Sequence, residues 1–508
     1  MKKFTGFLMI AVLLAACVKK EEYDFDNLST AGWEPQLAIP LVKSSLEVQD
    51  ILGFTDSSVV TTDGDGLVTL VYNSDVQEFV ADDIVEFGDV SETVQAGVST
   101  GTIVVDVPFD LPGEQEFTQI DLETGNLNLN LNTSATGTAT VTLLSIKETS
   151  SGNPLTQTAP LGSSINFDLS GASIEPTANN EISIQFAFSS VSSPSTMNLG
   201  MAMTNLDYKR LFGDFKDKLV RLPQDSLKIH LFKNIASDGN IHLEDPRIIL
   251  DFENSLGVPL GLKLDSVDGY NPVTKHLFEV IKSNTGELKV GAPDVNSIGT
   301  TVKTQIILDR SNTNVGDVFK PTPTYLVHSV GVSANPDATT QNFVEKGAKC
   351  RMEMRIELPL VGRVEKFQIL DTIPISLDQD IDFLRGVTIK TFLENGFPID
   401  AVVKATILDE NYVPLKLANG EEVDLISSAQ VAASAIIDGN GKVTEPGYVS
   451  TENELSEERT ELLRQAKYVL VLGSLSTSNN GNTTVKIFDD YKIDVKIGVK
   501  LTGDPGVF

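Results

Sequence analysis

Apolar and polar residues alternate with a period of two along most of this chain. The clearest runs are Ile103-Val105-Val107-Phe109, Leu127-Leu129-Leu131, Ile182-Ile184-Phe186-Phe188, Leu260-Leu262-Leu264 and Ile493-Val495-Ile497-Val499-Leu501. That spacing places one face on a core and the other in water, the mark of half-buried antiparallel strands. Asp63-Gly64-Asp65-Gly66, Ser151-Gly152-Asn153, Asp438-Gly439-Asn440-Gly441 and Asn479-Asn480-Gly481-Asn482 fall between such runs and supply the positive φ angles of tight hairpins. Helical spacing is scarce. Leu455, Leu462, Leu463 and Ala466 share one side of a helix predicted from Glu452 to Ala466, with Thr451 and Glu454 spaced as a capping box, leading into a strand from Tyr468 to Leu472. A shorter helical turn is predicted at Leu206 to Phe212, stopped by Gly213. The pattern predicts an all-β protein of tandem antiparallel β-sandwich domains with one or two short helices.

At 508 residues the chain exceeds what one core fills. A serine-rich break at Ser189 to Ser195 suggests a cut near 205, and a further cut is placed near 385, giving units at 36–205, 206–385 and 386–508. One internal echo stands out. Phe252-Glu253-Asn254-Ser255-Leu256-Gly257-Val258-Pro259 and Phe392-Leu393-Glu394-Asn395-Gly396-Phe397-Pro398 each place asparagine and glycine shortly before a proline that introduces a strand. These are either equivalent corners of two related sandwiches or convergent turn chemistry.

The first residues carry a different signal. Lys2-Lys3, an apolar run from Phe4 to Leu14 and the small residues Ala15-Ala16 before Cys17 describe a signal peptide over residues 1–16, with an apolar run too short to span a bilayer. Leu14-Ala15-Ala16-Cys17 resembles the lipobox of bacterial lipoproteins, which implies a diacylglycerol thioether on Cys17, further acylation of the freed amine, and a lipidated tether over 17–35. Several buried acyl chains hold a protein stably on a membrane without crossing it. Lys20-Glu21-Glu22 resembles the export signal that follows the lipidated cysteine in surface lipoproteins of the Bacteroidetes. That likeness implies display at the cell surface, with a periplasm-facing position as the alternative. Trp33-Glu34-Pro35-Gln36-Leu37-Ala38-Ile39-Pro40-Leu41 is similar to the start of uncharacterised lipoproteins of the same group, which bring no activity with them. Asp245 to Asn254 with Gly257 and Pro259 resembles a strand pattern of late-embryogenesis-abundant-like β-sandwiches and, more loosely, of tubular lipid-binding proteins.

Removing the leader's two lysines leaves 37 basic against 70 acidic residues, a formal charge of −33, which repels nucleic acid and anionic headgroups. With Cys17 committed to lipid, Cys350 has no disulfide partner within the chain. Between Lys349 and Leu358 the even positions are apolar and the odd ones charged, so the Cys350 thiol is predicted to face inward beside Met352 and Met354. No metal-protease helix, P-loop, dinucleotide fingerprint, paired-cysteine zinc motif or nucleophile elbow occurs, and His230, His242, His276 and His328 lack ligand spacing. No cofactor or metal is therefore assigned. Asp378, Asp380 and Asp382 alternate along one strand face, which fits a solvated edge better than a calcium site. Asp438 to Lys442 is read as a hairpin, because Val449 stands where a calcium loop needs its closing glutamate. Asp225-Ser226-Leu227, Asp265-Ser266-Val267 and Asp371-Thr372-Ile373 resemble the O-glycosylation sequon of exported Bacteroidetes proteins, implicating Ser226, Ser266 and Thr372. The leading expectation is a noncatalytic outer-membrane lipoprotein with a binding or structural role and a protein or glycan partner. The alternatives are a carrier of lipid or another hydrophobic ligand, and a hydrolase with paired carboxylates.

Overall fold

The structure, a computed structural model, describes residues 36–52, 58–113, 115–216, 219–221, 224–229, 235–237, 240–271, 276–280, 288–320, 322–339, 341–374 and 384–503. The chain is all-β, in antiparallel sheets, as the alternation predicts. Cys17, Lys20, Glu21 and Glu22 lie outside the described residues, as do Asp378, Asp380, Asp382 and His230.

Two long strands, Glu116–Thr133 and Ser195–Asp214, run side by side and organise a ten-stranded sheet system drawn chiefly from residues 90–214. Its interior is the predicted apolar set: Leu127, Leu129, Leu131, Ile182, Ile184 and Phe186 are fully buried. The helical turn predicted at Leu206 to Phe212 is instead the distal part of Ser195–Asp214. Register shifts around Asp207 and Tyr208 break the period of two there and make the segment look helical.

The rest of the chain builds two sandwiches of one design. In the first, Arg247–Asn254 lies between Val302–Leu308 and Lys349–Pro359, and the latter also pairs with Val68–Asn73 and Gln77–Val80. The opposing sheet sets Leu260–Asn271 beside Tyr325–Ala334, with Leu219–Arg221 and Asp225–Lys228 at one edge and His276–Val280 and Leu288–Val290 at the other. In the second, Leu384–Asn395 lies between Gly447–Leu455 and Lys492–Gly503, and the latter pairs with the N-terminal strand Gln36–Glu47. Its opposing sheet sets Ile399–Leu408 beside Tyr468–Thr477, flanked by Phe367–Pro374 and Asp424–Ala432. Even the single-turn helices match. Ala81–Ile84 follows the strand that ends opposite Lys349, and Val48–Ile51 follows the strand that ends opposite Lys492.

The two echoed sequences are equivalent corners of these sandwiches. Asn254 and Asn395 are both fully buried. Each side-chain oxygen accepts a bond from the backbone N–H two residues on, at 2.9 Å in both cases (Leu256 and Phe397). Each side-chain amide donates to the carbonyl four residues on, of Val258 and of Ile399, and to a carbonyl 37 or 38 residues further along, of Gly291 and of Ala433. The next residue again matches, with Ser255 N–H donating to Lys349 and Gly396 N–H to Lys492. One amide thus satisfies backbone groups that the interrupted ladder leaves without partners.

The expected cuts near 205 and 385 fall inside Ser195–Asp214 and at the start of Leu384–Asn395, and each sandwich takes an edge strand from residues 36–80. The predicted helix from Glu452 is corrected. Residues up to Leu455 form an edge strand, and the helix is Glu457–Gln465, with Ser456 rather than Thr451 at its N-cap and accepting from Arg459 N–H at 3.4 Å. Asp63 and Asp438 each turn a hairpin as expected, their carboxylates accepting two backbone N–H bonds, and Gly66 and Gly441 take the positive φ.

Candidate functional site

At the joint between the sandwiches, Asn240–Leu243, Val361–Glu365 and Val485–Lys486 form a small three-stranded sheet. It lies over the corner end of the second sandwich, and between the two is a cavity of about 230 Å³. The wall on the sandwich side comes from Phe397, Ile399, Ala401, Ala432, Leu475 and Ile493, and the roof brings Ile241, Leu243 and Val364. Val48 and Leu52, from the helical turn after the first strand, close one side.

The cavity is lined almost wholly by apolar atoms. Ile241 and Leu243 of the roof are buried, and His242 and Arg363, paired across the same ladder, also border the cavity, with Nδ1 of His242 buried and without a hydrogen-bond partner. Thr477 brings the wall's hydroxyl, and it is engaged with the backbone of Val364 at 3.4 and 3.5 Å. A lining this apolar suits an apolar occupant better than water.

The other candidates assemble less. Cys350 faces inward beside Met352 and Met354 as predicted, and burial pushes its thiol up to about 12, which removes its nucleophilicity. His328 is buried in Tyr325–Ala334, where burial lowers its pKa against the opposing pull of Asp225. Burial, with Arg363 and Lys320 nearby, lowers that of His242. Among the described residues no three His, Cys, Asp or Glu side chains converge as metal ligands. The carboxyls of Asp168, Asp309 and Asp438 are held below their usual range by neighbouring hydrogen bonds, and that of Glu253 by Lys303. Of the three sequon hydroxyls, Ser226 is exposed on the edge strand Asp225–Lys228. Thr372 is half-buried opposite Leu470, and Ser266 lies in Leu260–Asn271 opposite Ser329. Of these, His242 borders the cavity, and Cys350, His328 and the sequon hydroxyls do not. Sequence reasoning missed Ala401 and Ala432, although the echoed corner lies within a few residues of Ala401.

No family model matches the chain, and no curated protein does. Among solved structures, a Parabacteroides distasonis protein provisionally assigned as secreted aligns at 15% identity over 58% of this chain and 90% of its own, with a TM-score of 0.32. A Bacteroides ovatus protein provisionally assigned as an α-L-fucosidase aligns at 10% identity over 51% of this chain and 39% of its own, with a TM-score of 0.13. The viral particle protein of infectious bursal disease virus aligns at 9% identity over 86% of this chain and 80% of its own, with a TM-score of 0.15. Scores this low leave activity and partner to the chain's own geometry. No helix among the described residues is long and apolar enough to cross a membrane.

Proposed function

We propose that this is a noncatalytic lipoprotein of the outer membrane, anchored through Cys17, that holds a hydrophobic ligand in its second sandwich. The cavity carries this reading: its walls are almost wholly apolar, its size exceeds that of an ordinary packing void, and among the described residues no other feature suits a hydrophobic ligand as well. The placement of the anchor supports it. The described chain opens at Gln36 with an edge strand of the second sandwich, so the tether from Cys17 spans at most about 65 Å when fully extended. The module with the cavity would then be the one leashed to the membrane, where hydrophobic ligands are found. Binding to a protein or glycan partner at the cell surface is compatible with the same anchor.

Two measurements test this. Organic extraction of protein purified from its native membrane, followed by mass spectrometry, should recover an apolar compound in about equal amount to the polypeptide, in addition to the acyl chains on Cys17. A protein that carries nothing and accepts nothing would make the cavity a void. Replacing Cys17 with serine should release the protein from the membrane fraction, whereas unchanged membrane attachment would defeat the anchor.

A further inference from the structure

The duplicated frame allows the cavity walls to be compared position by position with the first sandwich. Ala401 stands opposite Ala432 across one ladder and opposite Leu475 across the next. Leu260 stands opposite Val290 and opposite Ala334 in the same way. The corner bonds fix the alignment independently, since Ala433 and Gly291 accept from the two equivalent asparagines. Ala432 therefore corresponds to Val290, and Ala401 to Leu260. Leu260 and Val290 are each 1% exposed and belong to the continuous core of the first sandwich. In the second, two alanines occupy those positions and the cavity borders both, while Leu475 in place of Ala334 returns part of the lost volume.

We propose that Ala401 and Ala432 hold open a slot for the hydrocarbon tail of one aliphatic chain, whose polar end stays outside. The proposal rests on the ligand-binding reading above and specifies its chemistry. On the sandwich side of the cavity Thr477 brings a hydroxyl already engaged with Val364, and the buried side-chain nitrogen without a partner is Nδ1 of His242, on the roof. The part of a ligand that lies along Ala401 and Ala432 must then be without polar atoms, since a hydroxyl or carboxylate buried there would lose its water and gain nothing. The wall on the sandwich side is aliphatic apart from Thr477 and Phe397, whose ring already meets Tyr491 edge to face at 5.8 Å. A cavity of roughly 150 Å³ suffices for one small aromatic ring, so this larger space suits a longer and more flexible occupant.

Calorimetric titration of the full mature protein, stripped of bound lipid, with hexanoate, octanoate, decanoate and dodecanoate tests the proposal, with 1-naphthoate as the ring control. One equivalent of linear carboxylate should bind, tightening about fourfold for each added methylene until the slot is full, and more tightly than the ring. Installing the first sandwich's residues as Ala401→Leu with Ala432→Val should weaken binding at least tenfold without lowering the melting temperature. If the double variant melts lower, Ala432→Val alone carries the same test. Preference for the ring, or undiminished binding by the variant, overturns the aliphatic slot and leaves the ligand reading standing. Failure of every probe, ring included, to bind the unmodified protein overturns the ligand reading and this proposal with it.

Discussion

The two sandwiches share strand order, corner asparagine and capping helical turn, yet they are filled differently. The first packs into one contiguous cluster with the ten-stranded unit, closed at its corner by Phe343, whose ring lies where any side chain on Gly257 would have to go. The second joins that cluster only at its corner end, through Phe397, Leu52 and the residues around the cavity, and has separate clusters around Ala405, Ile407 and Val469 and around Val387 and Leu455. The backbone frame is set by hydrogen bonds that both copies keep. Core volume is set by side chains that differ at a few positions, so the same frame serves as a solid block once and as a container once.

The largest expected effect comes from making the first sandwich resemble the second. Leu260→Ala removes a fully buried side chain from a continuous core and should cost about 3–4 kcal/mol of stability, read from the urea midpoint. A cost below about 1 kcal/mol would mean that the first core is already loose, and the contrast between the copies would fail. Next come the corners. Asn254→Ala and Asn395→Ala each strand two carbonyls and one N–H in buried surroundings, for a cost of roughly 3 kcal/mol apiece. Near-equal losses are expected despite the different cores. If one substitution proves harmless, the corners are not equivalent.

How far this was legible in the sequence depends on how local each signal is. Runs such as Ile182 to Phe188 and Lys349 to Leu358 alternate cleanly because each strand has one wet and one dry face, and a period of two survives any tertiary context. The corners were visible because their chemistry is packed into seven or eight residues, although only the hydrogen bonds decide between common design and convergence. Gly447–Leu455 was misread because its inward positions include Thr451 and Asn453, which hide the alternation and mimic a cap. The pairing of Gln36–Glu47 with Lys492–Gly503 joins the two ends of the described chain, and no local pattern encodes it. The cavity is harder still, because it consists of missing volume. An alanine in a strand says nothing until its partner across the ladder and its counterpart in the other copy are known.

The smallest effect concerns pH and separates the copies again. The first sandwich is tied to the ten-stranded unit by Asp214, whose carboxylate accepts from the buried Asn335 at 2.7 Å and from the backbone and side chain of Lys216 at 2.9 Å. Burial pushes this carboxyl up, but Lys216 and Asn335 outweigh it and hold it below the usual carboxylate range. A depressed carboxyl contributes stability that is fully present above its unfolded value, near pH 4, and is lost as pH falls through the lower folded value. Acidification below pH 4 should therefore loosen the contact between the first sandwich and the ten-stranded unit, by on the order of 1 kcal/mol, the strength of one such hydrogen bond. Hydrogen exchange at Asn335 and Thr339 should accelerate in that range in the unmodified protein. In Asp214→Asn, which keeps an acceptor but cannot titrate, exchange there should be faster at neutral pH and should lose this group's share of the acid dependence. An unchanged acid response in that variant would assign it to other carboxylates and remove Asp214 from the joint.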